Sequence, residues 1–193
     1  MDTACHLNTY PSIINKNIYK NIWFQKWFNS LDSWSTGWPD YELEEELCYD
    51  YFKLGRYDLV RLYAEKSIKL FPFVVNYTDL GVAYIFMHDY KNAKKAYLEA
   101  TRYGDYDQTY IDLSALALSY GNPQKNIVFI KNISLKKFSH NDLLWLNLAK
   151  LEYVNGDRKD AKTDVTKAYS LSPNDPAFEY FYKRIMDKPL NSR

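Results

Sequence analysis

Residues 77–100 read YTDLGVAYIFMHDYKNAKKAYLEA, and their spacing decides the fold. Tyr77, Leu80, Gly81 and Tyr84 run as aromatic, two residues, leucine, glycine, two residues, tyrosine. Ala93, Tyr97 and Ala100 follow as alanine, three residues, aromatic, two residues, alanine. Leu80 and Tyr84 stand four apart and share one face of a first helix. Gly81, with no β-carbon, leaves a gap on that helix where a second can approach closely. On the second helix Ala93 and Ala100 flank Tyr97, one large knob between two small residues. The stretch therefore predicts a helix-turn-helix hairpin. Such a hairpin cannot bury its apolar face alone, so the pattern must recur along the chain.

It does recur. With Val74 as the first residue of the frame, Tyr77 is fourth, Gly81 eighth and Tyr84 eleventh. A second good match begins at Asp142: Trp145 is fourth, Leu148 and Ala149 seventh and eighth, and Ala161, Val165 and Ala168 serve the second helix before Pro173. A repeat from Tyr41 keeps Leu47, Cys48, Tyr51, Tyr57 and the closing Pro72. The repeat from Gln108 is degenerate. Ile111, Ala115, Leu118 and Ile127 fit it, but Lys131 replaces the aromatic and Ser134 the alanine. Turn signals at Gly55-Arg56, His88-Asp89, Asn122-Pro123 and Gly156-Asp157 return about every 34 residues.

This pattern resembles the tetratricopeptide repeat. It implies an all-α, right-handed superhelical solenoid of antiparallel helix pairs, with about four repeats at 41–73, 74–107, 108–141 and 142–175. The helix pairs are expected at 41–54 with 57–70, 75–87 with 90–103, 108–120 with 124–137, and 142–155 with 158–170. AFEYFYKRIMDK, within 176–188, reads as a capping helix that covers the last repeat, and 189–193 as a frayed tail. Residues 1–40 are expected to hold an irregular start, an aromatic helix and the connector SWSTGWP. In that helix Ile18, Ile22, Trp23, Trp27 and Leu31 recur at three and four residues. Its apolar face either caps the stack, fills its groove or meets a membrane surface; the cap is the favoured reading.

Composition narrows the function classes. The 193 residues suffice for one ordinary domain, and hydrophobic content of 47% excludes wholesale disorder. A net charge of +1 supplies no global field toward nucleic acid or an anionic membrane. Cys5 and Cys48 form no CxxC pair, so neither a disulfide scaffold nor a zinc knuckle is expected, and Cys48 reads as a small core residue. The start MDTACHLNTYPSIINK lacks the order of a signal peptide, and no run approaches the roughly 18 apolar residues of a membrane span. A cytoplasmic location is the expectation.

No catalytic constellation emerges. His6, His88 and His140 are isolated in sequence, and HExxH, GxSxG and glycine-rich phosphate motifs are absent. Glu44, Glu45 and Glu46 are adjacent on a helix and point in different directions, so they read as a solvated helix start and not as a cation site. The chain is expected to be no enzyme and to use no cofactor and no metal.

The resemblance also implies a binding surface. In similar proteins the second, fifth, ninth, twelfth and thirteenth positions of each first helix line a concave groove, rotated by roughly 100° from the core positions. In the first repeat these include Tyr49, Phe52 and Lys53, with Glu42 and Glu45 before them. In the second they include Val82, Ile85 and Phe86, after Thr78. Asp112, Leu116 and Tyr120 follow in the third; Lys150 and Tyr153, with Leu146, in the fourth. Relatives that grip an acidic C-terminus use a cationic clamp. Here Glu45, Tyr49, Asp79, Thr109 and Leu113 hold the corresponding places, which argues against that partner. The expected ligand is a peptide or helix of a partner protein, held by apolar contacts in a non-catalytic interaction module. The alternative is a helical tail or accessory subunit of a membrane-associated or cell-envelope assembly, with residues 15–31 as its contact.

Overall fold

The computed structural model describes Ile22 and residues 40–187. Every regular element among the described residues from 40 on is helical: α1 (Asp40–Lys53), α2 (Tyr57–Leu70), α3 (Val74–Phe86), α4 (Tyr90–Tyr103), α5 (Asp107–Ala117), α6 (Pro123–Phe129), a π-helical segment (Ile130–Ser134), α7 (Leu135–Lys137), α8 (Asp142–Asn155), α9 (Arg158–Leu171) and α10 (Pro176–Met186). They belong to two compact units divided between Thr109 and Tyr110, inside α5.

In the first unit α1 packs on α2 and α3 on α4, each across a short turn that makes the partners antiparallel, and α2 also meets α3. In the second unit α8 packs on α9, α9 on α10, and α6 with the π segment on α8. Three hairpins close by one device. The amides of Arg56, Asp89 and Asp157 donate back to the carbonyls of Tyr51, Tyr84 and Glu152, at 3.0, 2.9 and 2.9 Å. Such a bond, spanning five residues, satisfies a helix-end carbonyl and demands a left-handed residue just inside it. Gly55 (φ +69°), His88 (φ +59°) and Gly156 (φ +96°) supply that conformation. All three carbonyls belong to the eleventh residue of the frame, so backbone geometry and sequence period agree.

Side-chain caps then start the second helices or the next hairpin. The carboxylate of Asp89 accepts from the Asn92 amide at 3.1 Å, Asn122 from Lys125 at 3.0 Å and Asn141 from Leu144 at 3.1 Å. A cap of this kind is worth about 1 kcal/mol.

The third repeat departs from the sequence frame by one residue. Tyr110, Ser114 and Ala117 are buried, whereas Ala115 and Leu118, read above as core positions, are exposed and Ile111 is half-buried. On the second helix Ile130, not Lys131, enters the core, and Ser134 is fully buried in the alanine place. The π segment reconciles these facts. It begins at Ile130, where the buried position falls one residue before the expected Lys131, and ends at Ser134, where the frame is met again. Lys131 is thereby turned out of the core.

The cores are those of stacked hairpins. Leu47, Cys48, Tyr51, Val60 and Ala64 pack together in the first unit, and Ile22, 6% exposed, joins them. Cys48 occupies the small-residue place, its Sγ 3.5 Å from the Val60 carbonyl oxygen. In the second unit Leu144, Leu148 and Leu151 meet Ile127 and Ile130. Ala161, Val165 and Ala168 of α9 receive Phe178 and Ile185 of α10. Each fully buried side chain of this size contributes about 1.5–3 kcal/mol. α10 is thus the cover over the last hairpin. Trp23, Trp27, Leu31 and the tail from 188 lie outside the described residues.

Candidate functional site

In the first unit the expected groove positions form an aromatic group fixed by its own contacts. Phe86, at the end of α3, stacks on Tyr57 at 4.4 Å between centroids and takes Phe52 edge-on at 5.4 Å. Phe52 also meets Tyr57 edge-on at 5.7 Å and leans on the core through its inner edge. All three are half-buried, as are Val82 and Ile85 on the same helix as Phe86. Tyr49 is exposed, with the Lys53 ammonium 3.6 Å from its ring centroid. The result is a partly accessible apolar surface in which the Phe86 ring is held between Tyr57 and Phe52. Thr78 is different. It is buried, donating to the Val74 carbonyl at 2.8 Å and sharing a hydrogen bond with Thr109 at 2.6 Å, so it offers nothing outward.

The second unit treats its expected positions otherwise. Leu116 is only 5% exposed, because the one-residue slip of the third repeat turns it toward the core side of α5. Asp112 and Tyr120 are half-buried. In the fourth repeat Leu146 is buried, and Tyr153 packs against the same buried cluster as Phe181 and Tyr182 of α10. The Lys150 ammonium lies 3.9 Å from the Phe181 ring centroid, and burial holds its pKa below the ordinary lysine value. The Arg158 guanidinium covers the Tyr153 ring at 3.7 Å. The capping helix and α9 therefore occupy much of the face that Lys150 and Tyr153 were expected to offer. Glu42 and Glu45 have side chains outside those described.

Asp79, Thr109 and Leu113, three of the places a cationic clamp would use, are all buried and none carries a positive charge. Among the described residues no group of histidine, cysteine and carboxylate side chains could hold a metal ion. His88 instead approaches the Tyr90 hydroxyl at 3.3 Å, and His140 the Ser139 hydroxyl at 3.1 Å. No helix among the described residues is long and apolar enough to cross a membrane.

Sequence reasoning passed over Glu152. It stands eleventh in its frame, where Tyr51 and Tyr84 stand in theirs, and it is wholly buried. The signal was a carboxylate in a tyrosine's place.

Comparison with known proteins agrees with this architecture. The family model described as "Tetratricopeptide repeat" matches residues 75–103, the α3 and α4 hairpin. Among solved structures, a chain in the crystal structure of the APC/C hetero-tetramer Cut9-Hcn1 is similar, with a TM-score of 0.64 and 17% identity. The likeness covers 76% of this chain and 30% of that one, so this chain spans under a third of its length. No curated protein matches. The α3 and α4 hairpin thus matches a tetratricopeptide repeat, within an all-α fold of packed helix pairs.

Proposed function

We propose that the chain is a non-catalytic protein-protein interaction module whose recognition surface is centred on α3, with Phe86 as its anchor. The observation that carries this reading is the fixed aromatic group: Phe86 held by Tyr57 on one face and Phe52 at its edge, beside the half-buried Val82 and Ile85. A ring immobilised before binding loses little conformational freedom on contact, the property that makes aromatic residues effective anchors. The partner is a peptide or helix whose apolar side chains fit between those rings. Tyr49 and Lys53 border the same unit and suit a polar rim.

The fold supports the module reading because stacked hairpins leave side chains of successive first helices outside the core. Ile22 supports the cap role of the N-terminal segment over the membrane alternative, since it is spent in the core with Leu47 and Tyr51. A photo-reactive amino acid placed at Ile85 in the full chain, expressed in its native cell, tests the proposal. A discrete protein adduct, absent when the same group is placed at exposed Lys95 on α4, is expected; equal labelling from both sites would overturn it.

A further inference from the structure

The second helix of the third repeat stands apart in charge as well as in register. Between Asp112 and Asp142 the sequence holds four lysines and no aspartate or glutamate, although bases and acids are almost equal in number over the whole chain. Lys125 lies on α6, Lys131 in the π segment, and Lys136 and Lys137 on α7. Asn126, Ile127, Ile130, Ser134 and Leu135 are buried, whereas Lys125, Val128, Asn132, Ile133 and Lys136 are exposed. Val128 is 48% and Ile133 42% exposed. A single exposed aliphatic residue needs no explanation. Two β-branched ones on the outside of one helical segment run against helix propensity, which favours unbranched side chains there. Local rules are broken in this way at functional sites, and a π turn within a helix points in the same direction.

The segment is held firmly from behind. Lys131 Nζ lies 2.5 Å from Glu152 Oε1 of α8 and 3.0 Å from Asp160 Oδ2 of α9. Lys137 lies 6.0 Å from the Tyr110 ring centroid. Lys125 and Lys136, by contrast, have no ion-pair partner among the described residues, and the Asn132 side chain has no hydrogen-bond partner among them. Along the segment the exposed order is therefore cation, aliphatic, amide, aliphatic, cation. The two lysines are eleven residues apart in sequence, about 16 Å along a helix.

The complement of that order is a helix of about three turns, with two apolar side chains in its middle and a carboxylate toward each end. We infer that the face made by Lys125, Val128, Asn132, Ile133 and Lys136 docks an acidic amphipathic helix of a partner protein. Charge complementarity carries the choice, since no carboxylate of the segment itself competes for the two lysines. A lipid surface calls for a broader apolar face than two aliphatic residues and leaves the Asn132 amide without a partner. A single-stranded nucleic acid calls for exposed rings on which bases stack, and none of these five residues is aromatic. Exposed lysines at the border steer and select the partner, while Val128 and Ile133 supply the area that is covered. The surface lies in the second unit and shares no residue with the one proposed on α3.

The test is an NMR titration of the isotope-labelled full chain with a synthetic alanine-based helical peptide, in which two leucines are flanked by glutamates one turn to either side. Saturable amide shifts confined to 124–137 are expected, with an affinity that falls several-fold as ionic strength is raised. Lys125→Glu combined with Lys136→Glu should weaken binding about tenfold at unchanged far-UV helicity, and should gain binding to the same peptide with lysines in place of its glutamates. Val128→Ser combined with Ile133→Ser should weaken the glutamate peptide without creating affinity for the lysine one. Equal binding of both peptides by the wild type, shifts centred on another helix, or no saturable shift overturns the inference. Vesicles of phosphatidylcholine with and without phosphatidylserine form a parallel arm. If those with phosphatidylserine engage the same amides more tightly than the peptide does, the face is a lipid contact and the inference falls. Phe86→Ala should leave the peptide titration unchanged, which keeps the fate of this surface distinct from that of α3.

Discussion

A β-carbon on Gly81 would stand 2.5 Å from Cε1 of Tyr97, a side chain that is itself only 2% exposed. The pair is the crossing point of α3 and α4, and neither member has room to yield. Gly81→Leu is therefore expected to cost about 1–3 kcal/mol through overpacking, read as a lower urea midpoint at unchanged slope. Gly81→Ala should show the same sign. An unchanged midpoint in both would place the crossing elsewhere.

Ile22 contributes a buried side chain to the core of the first hairpin. Ile22→Ala should cost about 2–5 kcal/mol, and deletion of residues 1–36 should lower stability and promote self-association by uncovering that core. Should the deletion leave stability intact but abolish co-sedimentation with lipid vesicles, the N-terminal segment is a membrane contact and not a cap.

Asn126 closes the irregular end of α5, donating from Nδ2 to the Ala117 carbonyl at 3.3 Å and the Tyr120 carbonyl at 3.1 Å. Asn76 does comparable work after α2, reaching the Phe71 carbonyl and the Ser67 hydroxyl, both at 2.9 Å. Asn126→Leu retains bulk and removes the donors, so it should cost about 1–3 kcal/mol in chemical unfolding. A loss below a few tenths would mean that the helix end finds other donors.

Most of the fold was legible because it is periodic. Tyr77, Gly81, Ala93 and Tyr97 state the helix crossing by size alone, and His88-Asp89 marks the turn between the two helices. The third repeat was misread by one residue for a definite reason: Ile111, Ala115 and Leu118 make as plausible an apolar face as Tyr110, Ser114 and Ala117. A π segment has no compositional mark, so only Lys131 in an aromatic's place hinted at the slip. The surface was less legible than the core. Spacing shows that Lys150 and Tyr153 share a face, but not that α10 and Arg158 lie against it. Nor does it show that Phe52, Tyr57 and Phe86 from three helices brace one another.

That bracing is the basis of the proposed interaction surface, and the affinity of the protein captured at Ile85 measures it most directly. Titration calorimetry with wild type and Phe86→Ala should give a loss of roughly 2 kcal/mol, about 30-fold in Kd, with far-UV helicity unchanged. Val82→Ala, which leaves the aromatic group in place, should weaken binding less. Equal affinity in wild type and Phe86→Ala, at equal helicity, would contradict the account and move recognition away from α3.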